Sequence, residues 1–113
     1  MTSREKLSAA LEHRDCGKFP FELGATKATG VSASLLYRLR QTYGRKEPVK
    51  IYDTYQMLGL LDEQDYEAFG IDVAGVWNDV TCFGYRNKDW KAWEMPDGTP
   101  ALVGGGFTIS LDA

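Results

Sequence analysis

The sequence predicts an α/β fold built on a parallel sheet, and three observations carry that expectation. Helical and extended periodicities alternate along the chain, in the order helix, strand, helix, helix, strand. The run FGIDVAGVWNDVT (residues 69–81) is apolar on both faces through Val73, Ala74, Val76 and Trp77, as in a strand covered on both sides. That run ends on Asn78 and Asp79, and parallel α/β folds carry their ligand sites at the carboxyl ends of the strands.

The elements follow in chain order. Thr2 and Glu5 have capping-box spacing, and Leu7, Ala10 and Leu11 form an apolar stripe, so a helix is expected over residues 3–14. His13 and Arg14 suit its negative end, and Gly17 suits its left-handed terminus. In KFPFELG (18–24), Phe19, Phe21 and Leu23 alternate with Lys18, Pro20 and Glu22, a strand period in which Pro20 marks an edge or a first residue. The loop GATKATG (24–30) leads to Ser32, a cap for a helix carrying Leu35, Leu36, Leu39 and Tyr43, with Arg38 and Arg40 outside and Gly44 at its end. These residues make a first βα unit, 18–44.

A second unit is expected over 48–79. Pro48 restarts the chain, Asp53 caps a helical stretch with Tyr55, Leu58 and Leu61, and DEQDYEAFG continues the helix to Gly70, before the strand of residues 72–79. Pro96-Asp97-Gly98 is a turn between two extended runs, giving a β-hairpin over 89–103. Phe107, Ile109 and Leu111 alternate with polar residues, so a further strand is expected where the chain ends, as though cut off.

Composition bounds the function. The 113 residues are enough for one domain, and a net charge of −3 leaves no electrostatic footprint for nucleic acid. No apolar run has bilayer-spanning or signal-peptide length, and two cysteines make no disulfide framework, so a cytoplasmic protein with reduced thiols is the simplest reading.

Each candidate site residue has a bland reading beside the functional one. Asp79 either caps the next turn or faces a pocket at the sheet rim. The GATKATG loop, with Thr26 and Lys27, either is a small-residue turn or presents donors and a cation to an anionic substrate, though it matches no nucleotide-binding motif. Glu22 is either a site carboxylate or a solvated one. Trp77, Trp90 and Trp93 either line a ligand pocket or fill a core. His13 and Cys16 have H-x-x-C spacing, short of a zinc ligand set, and no metal site is assigned. The glycines at 104–106 read as a flexible join.

TSREKLSAALEHRDCGKFPFELG, GIDVAGVWNDV and PDGTPALV together resemble the N-terminal portion of the uroporphyrinogen decarboxylase superfamily. The resemblance implies an eight-stranded (β/α)8 TIM barrel with an inserted β-hairpin, of which this chain carries the first part. Members include porphyrinogen decarboxylases and corrinoid-linked methyltransferases. The resemblance implies that Asp79 is catalytic, holding pyrrole nitrogens and stabilising developing positive charge, with Asn78, Lys27, Thr26 and Trp77 as substrate-binding neighbours. It implies a tetrapyrrole or methyl-donor substrate. Zinc and a corrinoid belong only to a longer, methyltransferase-like protein whose His and Cys ligands come later in the chain. The loop LGATKATG lacks the arginine with which the decarboxylases grip substrate carboxylates. Because a complete barrel takes roughly 250 residues, the alternative is a non-catalytic binding module that closes an open sheet edge by homo-oligomerisation or with a complementary fragment, or a truncated product without independent activity.

Overall fold

The computed structural model describes residues 2–15 and 17–108. The chain divides into two compact units, Met1–Val31 with Leu61–Val76, and Ser32–Leu60 with Trp77–Ala113.

In the first unit, helix α1 spans Ser3–Leu11 and opens on the expected capping box between Thr2 and Glu5. It ends before residue 14 because His13 takes a left-handed backbone, φ 56°. A single 3-10 turn follows at Lys27–Thr29. Helix α3 spans Glu63–Phe69, where Asp62 and Asp65 form a second capping box and Gly70 closes the helix at φ 70°. Gly70 is the position that needs glycine, since side-chain-bearing residues pay for that conformation.

The two strands expected in this unit do not form. Residues 18–23 and 71–77 have no regular structure among the described residues, and Val76 is 99% exposed. The two segments meet through one backbone bond, from the Asp72 N–H to the Phe21 carbonyl at 2.7 Å. The next rung is lost because the Asp72 carboxylate itself accepts the Phe21 N–H at 2.8 Å. Pro20 supplies no donor on the other side. Asp72 also accepts from the Ser3 hydroxyl at 2.6 Å and Lys6 Nζ at 3.2 Å, tying α1 to the Phe21 segment. These three donors hold its carboxyl below the ordinary carboxylate range, the Ser3 hydroxyl foremost.

The second unit carries the sheet. Helix α2 spans Ala33–Gln41 behind its Ser32 cap. Strands β1 (Val49–Asp53), β2 (Leu58–Gly59), β3 (Lys91–Glu94) and β4 (Pro100–Val103) make one sheet in the order β2-β1-β4-β3. The expected α/β class is therefore present, as a mixed sheet: β1 and β4 run parallel, and the outer pairs run antiparallel. The β3–β4 hairpin closes on Pro96-Asp97-Gly98 as the sequence predicts. There the Asp97 carboxylate accepts the Thr99 N–H at 3.1 Å.

Residues 49–59 depart from expectation. Instead of capping a helix, Asp53 ends β1, and its Oδ1 accepts the N–H groups of Tyr55 and Gln56 at 2.9 and 3.4 Å. That short-range capture turns the chain back into β2 rather than starting a helix. The core lies between α2 and the sheet, where Leu36, Val49, Ile51 and Val103 are fully buried. Gly59 permits this contact: a Cβ there would stand 2.8 Å from Leu36 and 3.0 Å from Val49.

Arg40 was expected outside α2 but is only 4% exposed, donating to the Leu60 carbonyl at 3.1 Å, while Leu35 is 48% exposed. The helix is rotated relative to the Leu35 stripe because β1 and β2 accept Leu36. Phe107 is buried without forming a strand, and Ile109 and Leu111 lie outside the described residues.

Candidate functional site: a cleft at the carboxyl ends of β1 and β4

Parallel neighbours β1 and β4 deliver their carboxyl ends to the same side of the sheet, the side on which parallel α/β folds build sites. Beyond β1, Asp53 folds residues 54–57 into a turn. Beyond β4, residues 104–106 carry the chain to Phe107. The third wall is the loop 79–87, a short hairpin of its own. Asn87 N–H donates to the Asp79 carbonyl at 2.7 Å, Thr81 N–H to the Tyr85 carbonyl at 2.8 Å, and Val80 bridges Arg86. Asn87 Nδ2 donates to the Tyr52 carbonyl at 2.9 Å and so fastens this loop to β1.

Together these walls enclose a cleft of about 540 Å³, lined by Thr54 and Met57, by Phe83, Gly84 and Tyr85, and by residues 106–108. Its volume lies within the range of small-molecule sites. At its polar end Thr54 Oγ1 and the Tyr85 hydroxyl are 2.6 Å apart. Burial raises the Tyr85 pKa, and the Thr54 hydrogen bond offsets part of that rise, so the phenol is neutral at ordinary pH. The remaining wall is aromatic. Tyr55 lies 6.3 Å from Phe83, and Phe107 lies 6.0 Å from Tyr85 and 5.2 Å from Trp93, edge to face. Behind the cleft Tyr52 stacks on Trp77 at 4.5 Å, and burial together with the Asp53 charge pushes its phenol up to about 12.

The glycines at 104–106 are not a flexible join. A Cβ on Gly104 would lie 2.5 Å from the Arg86 carbonyl, one on Gly105 2.8 Å from the Asp89 carbonyl, and one on Gly106 2.8 Å from Tyr85 Cβ. None has a positive φ, so the requirement for glycine is steric: the strand exit slides flush against the loop that carries Tyr85.

Asp79 stands at the base of the loop 79–87, with its side chain 59% exposed and paired to Arg86 Nη1 at 2.9 Å. Asn78 is exposed, and its Oδ1 accepts the Val80 N–H at 3.1 Å, a turn-forming role. Trp77 packs on Tyr52. Thr26 and Lys27 belong to the first unit, where Thr26 caps the 3-10 turn. Glu22 is not merely solvated. Its Oε1 accepts Ala25 N–H at 2.6 Å and Thr29 Oγ1 at 2.7 Å, bracing the GATKATG loop from within. Lys50 Nζ lies 5.3 Å from the Trp90 ring centroid, while Trp93 packs against Phe107.

His13 is exposed, and Cys16 lies outside the described residues. Among the described residues no three His, Cys, Asp or Glu side chains converge. No described helix is long and apolar enough to cross a membrane. Sequence reasoning missed Thr54, Phe83, Tyr85 and Phe107. The Asp53 turn signal and the three adjacent glycines were the available pointers to their neighbourhood.

No protein-family model matches the chain, and neither the curated proteins nor the solved structures include a match.

Proposed function

We propose that this chain is the N-terminal segment of a barrel enzyme of the uroporphyrinogen decarboxylase type, acting by porphyrinogen-type decarboxylation or corrinoid-linked methyl transfer. The observation that carries the reading is the cleft at the carboxyl ends of a parallel strand pair, one wall of which is the loop bearing Asp79 at its base. Asp79 itself stands outside the cleft lining with its side chain 59% exposed, and on this reading further barrel elements enclose it so that its charge stabilises a cationic intermediate. The Arg86 partner is no obstacle, since a surface ion pair of this exposure is worth about 0–1 kcal/mol and opens readily. Among the described residues the side chains lining the cleft include no cation to receive a polycarboxylated porphyrinogen, which favours the methyl-transfer arm. On this reading zinc or corrinoid chemistry would be supplied by a longer chain.

The test uses the chain extended by whatever reading frame follows the Ala113 codon. Both uroporphyrinogen decarboxylation and methyl transfer from methylcobalamin to a thiol are followed. Asp79→Asn should lower kcat/KM of the active assay by at least about 10²-fold, the scale of one lost preorganised charge. Turnover unchanged in the folded variant defeats the assignment.

A second reading is favoured by the apolar surface of the first unit, where Phe19 is 93%, Val76 99% and Leu11 73% exposed. Exposed apolar side chains of this size lose unfavourable hydration when a partner covers them. On this reading the chain is a non-catalytic module that pairs with a second copy or a complementary fragment. Light scattering decides: a monomer from about 10 to 200 μM argues against it, since standard interfaces bind well below that range.

A further inference from the structure

We infer that the cleft at the carboxyl ends of β1 and β4 takes a neutral, planar aromatic ligand bearing one hydroxyl or equivalent hydrogen-bonding group. The inference rests on the proposed site location and goes beyond it by naming the ligand class. Three features of the wall lead to it. Its side chains are aromatic, aliphatic or hydroxylic, with Phe83, Tyr85, Phe107 and Met57 offering faces for a flat ring. Among the described residues no charged side chain lines it, and a charge that acts on its polar end, the Asp53 carboxylate, disfavours a second anion beside Tyr85. An anionic ligand would therefore shed hydration without meeting a counter-charge, which is costly. Its polar end is a pair of hydroxyls, Thr54 Oγ1 and the Tyr85 phenol, 2.6 Å apart.

That pair has a specific capacity. One of its two O–H groups is spent on the other oxygen, and the buried Thr81 hydroxyl also faces Tyr85, so at most one donor and the spare lone pairs are left for a ligand. A phenol-like hydroxyl can both accept the free O–H and donate back. A carboxylate can only accept, and it keeps its uncompensated charge. Gly84 adds room: a Cβ there would meet nothing within 4 Å, so a ligand ring can lie over the backbone at that point.

The probes are 2-naphthol and 2-naphthoate, titrated at neutral pH into the uniformly ¹⁵N-labelled chain, with amide shifts followed. The expected result is that 2-naphthol shifts Thr54, Gly84, Tyr85 and Gly106 with a dissociation constant on the order of a few millimolar, the fragment scale for so few atoms. 2-Naphthoate should bind at least about tenfold more weakly. Tyr85→Phe should weaken 2-naphthol by about 3- to 10-fold, the worth of one hydrogen bond. Thr54→Val provides the same reading from the other hydroxyl should Tyr85→Phe not fold. If 2-naphthoate binds these residues as tightly as 2-naphthol, the neutral ligand class is overturned while the site location stands. If 2-naphthol shifts other residues, or none up to its solubility, the aromatic-ligand inference is overturned. The Asp79→Asn turnover comparison then decides the site reading separately.

Discussion

Replacing Gly104 by alanine separates two accounts of the strand exit by the sign of its effect. In a flexible join, Gly→Ala removes freedom from the unfolded chain and stabilises by about 0.4–1 kcal/mol. In the structure the added Cβ lies 2.5 Å from the Arg86 carbonyl oxygen, and 3.0 and 3.2 Å from Tyr85 ring carbons. The nearest atom is backbone, held in the loop 79–87 by the Val80–Arg86 bridge, so the strain cannot be relieved by a rotamer change. Overpacking of this kind costs about 1–3 kcal/mol, and the rigid backbone neighbour argues for at least the middle of that range. Urea unfolding followed by tryptophan fluorescence reports the right unit, because Trp77, Trp90 and Trp93 all belong to it. With a slope of about 1.5 kcal/mol/M for a chain of this size, a loss of about 2 kcal/mol lowers the midpoint by roughly 1.3 M. A midpoint that stays put or rises would refute the close-packing account of residues 104–106. The cleft wall derived from it would fall too.

Two further outcomes follow from the same geometry. Leu36→Ala empties a fully buried position between α2 and the sheet, and should cost about 2–5 kcal/mol in the same urea assay; a loss under about 1 kcal/mol would mean that α2 does not seat on β1 and β2 through this residue. On acidification, Asp97 and Asp72 should both destabilise the fold as they protonate. The Ser34 and Thr99 hydroxyls and the Thr99 N–H hold Asp97 down to about 2, and Asp72 is held low by Ser3, Phe21 and Lys6. Because both folded values lie beneath the unfolded carboxylate value of about 3.9, their contribution is complete above that pH and fades as pH falls towards 2. Asp97→Asn should flatten the acid limb of a pH–stability profile recorded by fluorescence, and an unchanged limb would count against the turn geometry.

Local chemistry was legible in the sequence. The capping box at Thr2 and Glu5, the Ser32 cap, the Gly70 terminus and the Pro96-Asp97-Gly98 turn each depend on partners within three or four residues, and each is present. Asp53 was legible only in half: its tendency to capture nearby N–H groups is local, but whether that ends in a helix or a hairpin depended on β1 finding β4.

The strands themselves were decided elsewhere. Period-two patterning describes which faces a segment would bury, yet a strand exists only when a neighbour takes its backbone bonds. Residues 18–23 show that pattern and 71–77 form a run apolar on both faces, and both lack the ladder, because the Asp72 carboxylate takes the Phe21 N–H where a carbonyl would have to stand. Val49–Asp53, read in part as a helix start, gained the partners instead. The site followed the same division. Asp79 could be named from its position at the end of an apolar run, but it does not line the cleft, which is made by Thr54, Tyr85 and Phe107, residues far apart in the chain. By itself the sequence determined the helix caps and the hairpin turn, through short-range bonds. Only the tertiary structure decided which segments pair, that Arg40 turns inward, and that residues 104–106 are glycine for want of room, because those outcomes depend on atoms that the chain brings together only by folding.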